Sequence, residues 1–459
     1  MLKRLLLPAL WAALLPWSAH AEVAEYTLDN GMKVIVKEDH RAPVVVSQVW
    51  YRVGSSYEPA GLTGISHMLE HMMFKGTEAH PAGEFSRIIA ENGGSENAFT
   101  SRDATAYYQQ LEKSRLAVSF ELEADRMRNL QLPEAEFLKE RQVVAEERRL
   151  RTEDDPQSLA YERFNALAYL ESPYRQPVIG WMNDIQNYTV EDLRAWYRRW
   201  YAPNNAILVV VGDVRAEAVL ALAREHFGPL APSEPAALKP RREPEQLGER
   251  RVTVRLPARL PYLIMGYHVP VVGQAETAWE PYALAVLAGI LDGGDSARLA
   301  RELVRGSQVA ASAGAGYGAF ARLPGLFQLE GVPANGHGVA ALEAAFRDQV
   351  RQLQERPVDG AELARVKAQV VAGDVFGRDS VQYQAIRIGR LESIGLDWRL
   401  MDGYVDRIRA VTAEQVRAVA RKYLTGDNLT VAVLEPQPTA EGAREPRPVP
   451  QGGARDEQS

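Results

Sequence analysis

The chain has 459 residues, of which 46% are hydrophobic and 25% are charged, values typical of globular proteins that fold in water. This length exceeds what one compact core accommodates, so two or more domains are expected. The net charge of −7 argues against nucleic-acid binding, because no excess of basic side chains is present to neutralise phosphates. The absence of cysteine excludes disulfides, thiolate metal sites and cysteine nucleophiles.

Residues 1–21 have the pattern of a secretory signal peptide. Lys3 and Arg4 precede the apolar stretch LLLPALWAALLPW, and the following SAHA has the small-x-small form of a signal-peptidase site. This pattern predicts cleavage after Ala21, export to a bacterial periplasm and no stable membrane span after cleavage. An uncleaved membrane anchor is the alternative, which the shortness of the apolar stretch and its prolines disfavour.

The first half of the chain interleaves strand and helix patterns. Asn30-Gly31 between alternating apolar runs predicts a β-hairpin, and PVVVSQVWYRVGS and DATAYYQQLE predict further strands. Neighbouring strands joined by a hairpin, with helices between others, indicate a mixed sheet that carries helices. Helical patterns are present at residues 64–75, 82–91, 114–130 and 133–151.

A repeat divides the chain into two similar halves. The stretch TVEDLRAWYRRWYAPNNAILVVVGD begins at Thr189, TAEQVRAVARKYLTGDNLTVAVLEP begins at Thr412, and the two align without a gap. In each copy, Thr is followed three residues later by Asp192 or Gln415, which is a capping-box pattern for a helix start. Each helix then leads through a turn into an apolar run that is typical of a buried strand.

The repeat predicts an α+β fold with two homologous domains, each a mixed, mainly antiparallel β-sheet packed with helices. The Pro-rich and charged stretch between the copies suits a linker, and QPTAEGAREPRPVPQGGARDEQS after the second copy suits a disordered tail. The predicted boundaries are a first domain at 22–232, a linker at 233–249, a second domain at 250–436 and a tail at 437–459.

The stretch TGISHMLEHMMFKGT, residues 63–77, carries the candidate chemistry. His67 and His71 are four residues apart, a spacing that places them on one face of a helix, close enough to share a cation. Zinc accepts imidazole ligands and uses three protein ligands plus water at catalytic sites. Glu70 lies one turn from His67, a position from which a carboxylate can take a proton from an activated water. Taken alone, the pattern fits an ordinary amphipathic helix equally well, and it lacks a third ligand.

The HxxEH pattern is identified as the inverted zincin motif of the pitrilysin/insulinase metallopeptidases, a family that includes mitochondrial processing peptidase. In that family the third zinc ligand is a Glu on another helix, roughly 75 or more positions after the second His, with a supporting Glu seven residues earlier. In KERQVVAEERRL, Glu147 lies 76 positions after His71 (147 − 71), and Glu140 lies seven before it. Seven residues is nearly two helical turns, so these two share a face, whereas Glu146 points about 100° away.

The resemblance implies a zinc endopeptidase that acts on extended peptides and holds one Zn²⁺ per chain. His67, His71 and Glu147 are then the expected zinc ligands. Glu70 is the expected general base, which takes the proton of the attacking water and passes it to the leaving amine. Glu140 is expected to support the ligands, because metal sites need partners that fix the orientation of their ligands.

Further stretches resemble the family, so the resemblance covers nearly all of the mature chain. GGSENAFTSRDATAYY is similar to the segment around the strand that receives substrate, and SPYRQPVIGWMNDIQNYTVEDL and YAPNNAILVVVGD match other landmarks. Substrate is therefore expected to add as a strand beside Asn97, Ala98, Phe99 and Thr100 through backbone hydrogen bonds. The alternative is that these four residues form a half-buried core strand.

One family feature is missing from the second half. Active members use an Arg and a Tyr, seven positions apart, from a domain that faces the zinc. After the similar stretch DGGDSARLARELVR, Val304 and Ala311 stand where that Arg and Tyr are expected. Arg305 is one residue away from the expected position, and Tyr317 is too far along the chain. The second half also lacks a histidine pair, so we expect it to be catalytically inert.

The resemblance then implies a division of labour between two chains. In half-length members, a related metal-free partner supplies the Arg and the Tyr, and the two chains enclose a chamber. We expect this chain to be the zinc subunit of such a heterodimer, unless a one-residue shift of the alignment makes Arg305 the functional Arg. A non-catalytic peptide-binding or structural subunit with the same fold is the alternative function.

Overall fold

The computed structural model describes residues 23–234, 238–239 and 241–438. The predicted signal peptide lies outside these residues, as do residues 439–459 of the predicted tail. Gln437 was assigned to the tail by the predicted boundary, but it ends a strand, because its backbone pairs with Pro257 of the neighbouring strand. Among the described residues, no helix combines the length and apolar character needed to cross a membrane.

The first domain is built on a six-stranded mixed sheet. Its strands are β1 (Val23–Thr27), β2 (Lys33–Glu38), β3 (Val44–Tyr51), β4 (Ser95–Thr100), β5 (Thr105–Glu112) and β6 (Ala206–Gly212). Their order in the sheet is β1-β2-β6-β3-β5-β4, with β2 and β6 parallel and the other neighbours antiparallel. The apolar run of the first repeat copy forms β6, which is buried along its whole length.

The helices of the first domain cover mainly one face of this sheet. They are α1 (Ile65–Met72), α2 (Glu84–Glu91), α3 (Leu116–Asn129), α4 (Glu134–Arg148), α5 (Pro156–Ala168), α6 (Met182–Asn187), α7 (Val190–Trp200) and α8 (Ala216–His226). A π-helical turn at Arg149–Glu153 continues α4. All of these helices except α5 contribute side chains to one apolar cluster with the alternate residues of β2, β3 and β6 that face them.

The second domain repeats this plan with a five-stranded mixed sheet. Its strands are β7 (Arg250–Pro257), β8 (Tyr262–Val269), β9 (Ala310–Tyr317), β10 (Gly325–Pro333) and β11 (Leu429–Gln437), and its helices are α9 (Glu280–Asp292), α10 (Val339–Glu355), α11 (Gly360–Gly377), α12 (Val381–Ser393), α13 (Tyr404–Ala410) and α14 (Ala413–Tyr423). The strand order is β7-β11-β8-β10-β9, with β7 and β11 parallel. The predicted α+β fold with two mixed sheets is confirmed.

Both copies of the repeat fold alike. The side chains of Thr189 and Thr412 accept hydrogen bonds from the backbone N–H groups of Asp192 and Gln415, whose side chains accept from the Thr backbone in return. These reciprocal capping boxes begin α7 and α14, and each helix leads into a strand inside its sheet. The local sequence therefore fixes where the helix before β6 and the helix before β11 start.

Each sheet is covered on its other face by a helix that belongs to the opposite domain. Ala385 and Ile388 of α12 pack in one apolar cluster with Trp50 of β3. Reciprocally, Phe164 of α5 packs in another with Ile264 of β8. Burying a large apolar side chain contributes about 1.5–3 kcal/mol, so separating the domains would expose apolar surface on both sheets.

Glycines occur where α5 and α12 each meet the sheet of the other domain. A Cβ on Gly266 of β8 would lie 2.5 Å from the ring of Phe164, and a Cβ on Gly389 of α12 would lie 2.1 Å from Nε1 of Trp50. Both distances are too short for a side-chain atom, so the large aromatic ring occupies the space that a Cβ would need.

The described part of the predicted linker contacts both domains. The carboxylate of Glu243 accepts hydrogen bonds from the backbone N–H groups of residues 170–172 of the first domain at 2.8 to 2.9 Å. Gln246 donates from Nε2 to the carbonyl oxygen of Leu429 in the second domain at 2.8 Å. These contacts hold the part of the linker around Glu243 and Gln246 against both domains.

Replacing Gly389 by alanine is expected to destabilise the protein. Gly→Ala inside a helix is ordinarily stabilising by about 0.5–1 kcal/mol. Here the added methyl group would meet Trp50 at 2.1 Å. Overpacking of this kind should outweigh the helix preference and lower the free energy of unfolding by about 1–3 kcal/mol, measured by thermal melting.

Gly373→Ala in α11 is the matched control, because a Cβ at Gly373 meets no described atom within 4 Å. We expect this variant to melt at the same temperature as the wild type or above it. Equal melting temperatures for the two variants would contradict the tight packing of α12 on the first sheet.

Candidate metal centre

A buried carboxylate fixes the start of α1, the helix that carries both histidines. Glu58 is buried, and its oxygens accept hydrogen bonds from the backbone N–H groups of Gly64 at 2.7 Å and Ser66 at 2.8 Å. Burial raises the pKa of Glu58 to about 7, although these bonds oppose the shift. Gly64 has a φ of +85°, and a Cβ there would lie 2.3 Å from the carbonyl oxygen of Ile179, so only glycine fits.

The two histidines of α1 lie side by side, as their spacing predicts. The ring centroids of His67 and His71 are 4.7 Å apart. Burial, together with the neighbouring His71, lowers the pKa of His67 to about 4. The neutral imidazole that this shift favours is the form that binds metal ions.

Glu147 of α4 reaches both histidines. Its Oε2 lies 3.7 Å from Nε2 of His67 and 3.3 Å from Nε2 of His71, and the three side chains place one donor atom each within 4.8 Å of the others. Tetrahedral zinc, with donors at about 2.0–2.1 Å, holds its donors roughly 3.4 Å apart, so small shifts suffice. Burial raises the pKa of Glu147, but His71, His67 and Arg151 outweigh it and lower the pKa to about 2.

One polar atom of this cluster fits a metal-binding role. Oε2 of Glu147, which faces Nε2 of both histidines, is buried and has no hydrogen-bond partner among the described residues. Burying a charged oxygen without a partner is costly, and a cation between the three donors would remove that cost for Glu147. Two neutral imidazole nitrogens and one carboxylate oxygen form a donor set that suits zinc.

Glu140 of α4 supports His71, as its position seven residues before Glu147 predicts. Its Oε1 lies 2.9 Å from Nδ1 of His71, and its Oε2 lies 2.5 Å from Nζ of Lys75. Burial raises the pKa of Glu140, but Lys75 and His71 outweigh it and lower the pKa, so the carboxylate is ionised. An ionised Glu140 accepts the Nδ1 proton of His71, so Nε2 of His71, which faces Glu147, is the nitrogen that would offer its lone pair to a metal.

Glu70 points to the sheet. Its Oε2 accepts a hydrogen bond from the hydroxyl of Thr100 at 2.5 Å. Burial raises the pKa of Glu70, although Thr100 and the charge of His71 oppose the shift. The carboxylate therefore lies beside the three candidate ligands without being one of them.

The predicted substrate strand is the edge strand β4. β4 pairs with β5 and stands last in the sheet order of the described chain. The backbone N–H of Ala98 donates to Oδ1 of Asn97 at 2.8 Å, so this N–H is directed away from the ladder with β5. Phe99 packs edge-on against Trp50 at 5.3 Å between ring centroids. The strand is thus half-buried on its faces and open along one backbone edge, while Thr100 turns its side chain to Glu70.

The second domain has no equivalent of this cluster in its described residues. The helix α9 reads EPYALAVLAGILD and contains no histidine. Val304 and Arg305 lie in a π-helical segment, and Arg305 donates a hydrogen bond to the carbonyl oxygen of Asp295. Ala311 and Tyr317 lie in β9, and the Tyr317 hydroxyl donates to the carbonyl oxygen of Pro270 at 2.6 Å.

Sequence reasoning missed several partners of the cluster. Lys75 lies four residues after His71, and Arg151, whose guanidinium is 3.0 Å from Oε1 of Glu147, lies four residues after Glu147. The i to i+4 spacing was a usable signal for Arg151, whereas Lys75 lies beyond the end of α1 and bonds Glu140 instead. Glu58 and the side chain of Thr100 reach α1 through tertiary contacts, for which the local sequence has no signal.

Models of two protein families match most of the chain. The model described as insulinase, peptidase family M16, matches residues 33–180, which include the whole cluster. The model described as the peptidase M16 inactive domain matches residues 187–370, which include most of the second domain.

Several known proteins are similar to this chain. The zinc protease PqqE of Helicobacter pylori is 40% identical over 62% of this chain and 65% of its own length. An uncharacterized zinc protease of Mycobacterium bovis is 31% identical over 89% of this chain and 92% of its own. The crystal structure of a protease from Helicobacter pylori superposes with a TM-score of 0.86 at 32% identity, covering 91% of this chain and all of that one. The chain therefore belongs to the insulinase family of peptidases, family M16.

Proposed function

We propose that the chain is a zinc-dependent endopeptidase that cleaves extended peptides, and that it acts as the catalytic subunit of a heterodimer. The observation that carries the proposal is the convergence of His67, His71 and Glu147 on one point, with Glu70 beside them. The relatives named zinc proteases support the same metal and reaction. Export to a periplasm remains a prediction from residues 1–21.

Each residue of the cluster has a defined task in this reaction. His67, His71 and Glu147 would hold one Zn²⁺, which when bound polarises the scissile carbonyl and lowers the pKa of water toward about 7. Glu70 takes the proton of the attacking water and passes it to the leaving amine. Burial raises the pKa of Glu70, which favours its uptake of the water proton. Glu140 keeps His71 in the required tautomer.

The edge of β4 supports binding of extended peptides. A peptide that adds beside β4 would take the place of the Asn97 side chain as the partner of the Ala98 N–H. Backbone pairing of this kind makes few demands on the side chains of the substrate. It also brings the peptide close to Glu70, because β4 ends at Thr100.

The side chains of the second domain support the need for a partner chain. The side chains of Arg305 and Tyr317 donate hydrogen bonds to carbonyl oxygens of their own domain. Val304 and Ala311 have no polar side chain that could stabilise the charge of the transition state. A related metal-free chain would supply the Arg and the Tyr. The alternative function is a non-catalytic peptide-binding or structural subunit. The observation on its side is the match of the second domain to an inactive-domain model.

Replacing Glu70 by glutamine should abolish peptide cleavage and leave zinc binding intact. An amide cannot accept the water proton, whereas the three ligands are unchanged. We expect turnover to fall by about 10²–10⁴-fold. The measurement combines zinc content with cleavage of a mixed set of unstructured peptides, with and without a metal-free relative added.

The alternatives give different results in that assay. Zinc content near zero in the wild type would support the non-catalytic function. Cleavage by the wild-type chain alone, blocked in the variant, would establish the peptidase and remove the need for a partner. Turnover near the wild-type level in Glu70→Gln would contradict the assignment of the base.

Replacing Ala98 by proline should raise KM with little change in kcat. The proline removes the outward N–H that a substrate strand would use but no bond of the β4–β5 ladder, so an edge strand should tolerate it. Loss of one backbone hydrogen bond, together with altered strand geometry, should raise KM about 5- to 30-fold. Circular dichroism and thermal melting check the fold of the variant. An unchanged KM in a folded variant would contradict the addition of substrate as a strand at Ala98.

A further inference from the structure

The last residue of the edge strand contacts the catalytic cluster rather than the open edge. Thr100 ends β4, and its side chain is buried against α1. Its Oγ1 lies 2.5 Å from Oε2 of Glu70, across the gap between sheet and helix. The expectation that substrate adds beside Thr100 through backbone hydrogen bonds stays a prediction, because this contact engages only the Thr100 side chain.

The direction of this hydrogen bond follows from the chemistry of its neighbours. An ionised carboxylate can only accept, so the Thr100 hydroxyl donates to Glu70. The nearby hydroxyl of Thr105 is 3.4 Å from Oγ1 of Thr100, but it lies closer, at 2.9 Å, to the carbonyl oxygen of Val53. Thr105 therefore has its own acceptor, and the proton of Thr100 is available to Glu70.

We propose that Thr100 is a positioning residue that holds Oε2 of Glu70 and so aims the other oxygen, Oε1, at the attacking water. The proposal rests on the proposed peptidase function. A Glu side chain has three rotatable bonds, and a charge-assisted bond to a rigid strand restricts them before substrate arrives. The strand that pairs with substrate and the base that activates water are thereby tied to one another through a single side chain.

The test compares Thr100→Val, which keeps the shape and removes the donor, with Thr100→Ser, which keeps the donor. We expect kcat of Thr100→Val to fall about 10- to 100-fold and KM to change less than about twofold, since the outward N–H of Ala98 is untouched. Thr100→Ser should retain kcat within about threefold. The wild type and both variants should bind the same amount of zinc.

Thr105→Val is the matched control for damage to the sheet. Thr105 stands opposite Thr100 in the β4–β5 pair and is also buried, but its hydroxyl donates to the carbonyl oxygen of Val53. This variant should melt at a lower temperature while its kcat stays within about twofold of the wild type. A kcat loss equal to that of Thr100→Val would show that the effect is general to the sheet and would overturn the proposal.

A second readout does not depend on turnover. In crystal structures of the zinc-loaded proteins, the Glu70 carboxylate should keep its position in Thr100→Ser and leave it, or split between positions, in Thr100→Val. An unmoved Glu70 in Thr100→Val would overturn the proposal even if the chain alone cleaves no peptide. Failure of the proposed function would appear instead as absent zinc or absent turnover in the wild type with its partner.

Discussion

Three donor atoms from two helices have to be held within 4.8 Å of one another, and the rest of the first domain serves this constraint. Bringing a carboxylate and two imidazoles out of water is unfavourable unless they share a cation or satisfy each other. The helix α1 is therefore fixed at its start by Glu58 and along its length by fully buried apolar side chains such as Met68 and Leu69. Glu140 and Lys75 then form a second layer of charge that orients His71.

The two domains share one plan, but among the described residues the group that could hold a metal lies in the first domain. The second contributes packing, because α12 covers the outer face of the first sheet while α5 covers that of the second. Removing α12 would expose the outer face of the first sheet, and removing α5 would expose that of the second. Through this exchange, the second domain supports the sheet of the domain that carries the candidate metal centre.

Periodicity and resemblance predicted the residues of the cluster but not the contacts that position them. His67 and His71 follow from the i to i+4 rule, and Glu147 was separated from Glu146 by helical geometry together with the family motif. The contact of the Thr100 side chain with Glu70 was not predicted, because a period-2 pattern does not tell which side chain at a strand end meets a helix. The helix exchange was equally unpredictable, since the cluster of Trp50 with Ala385 joins residues over 300 positions apart in sequence.

The most direct test of the proposed metal centre is a crystal structure of the purified chain with zinc, with anomalous diffraction recorded on both sides of the zinc absorption edge. We expect one anomalous peak per chain, bonded to Nε2 of His67, Nε2 of His71 and an oxygen of Glu147 at about 2.0–2.2 Å, with Glu70 close by and unbound. A zinc-loaded crystal without a peak at this position, or with Glu70 in place of Glu147 as the ligand, would contradict it.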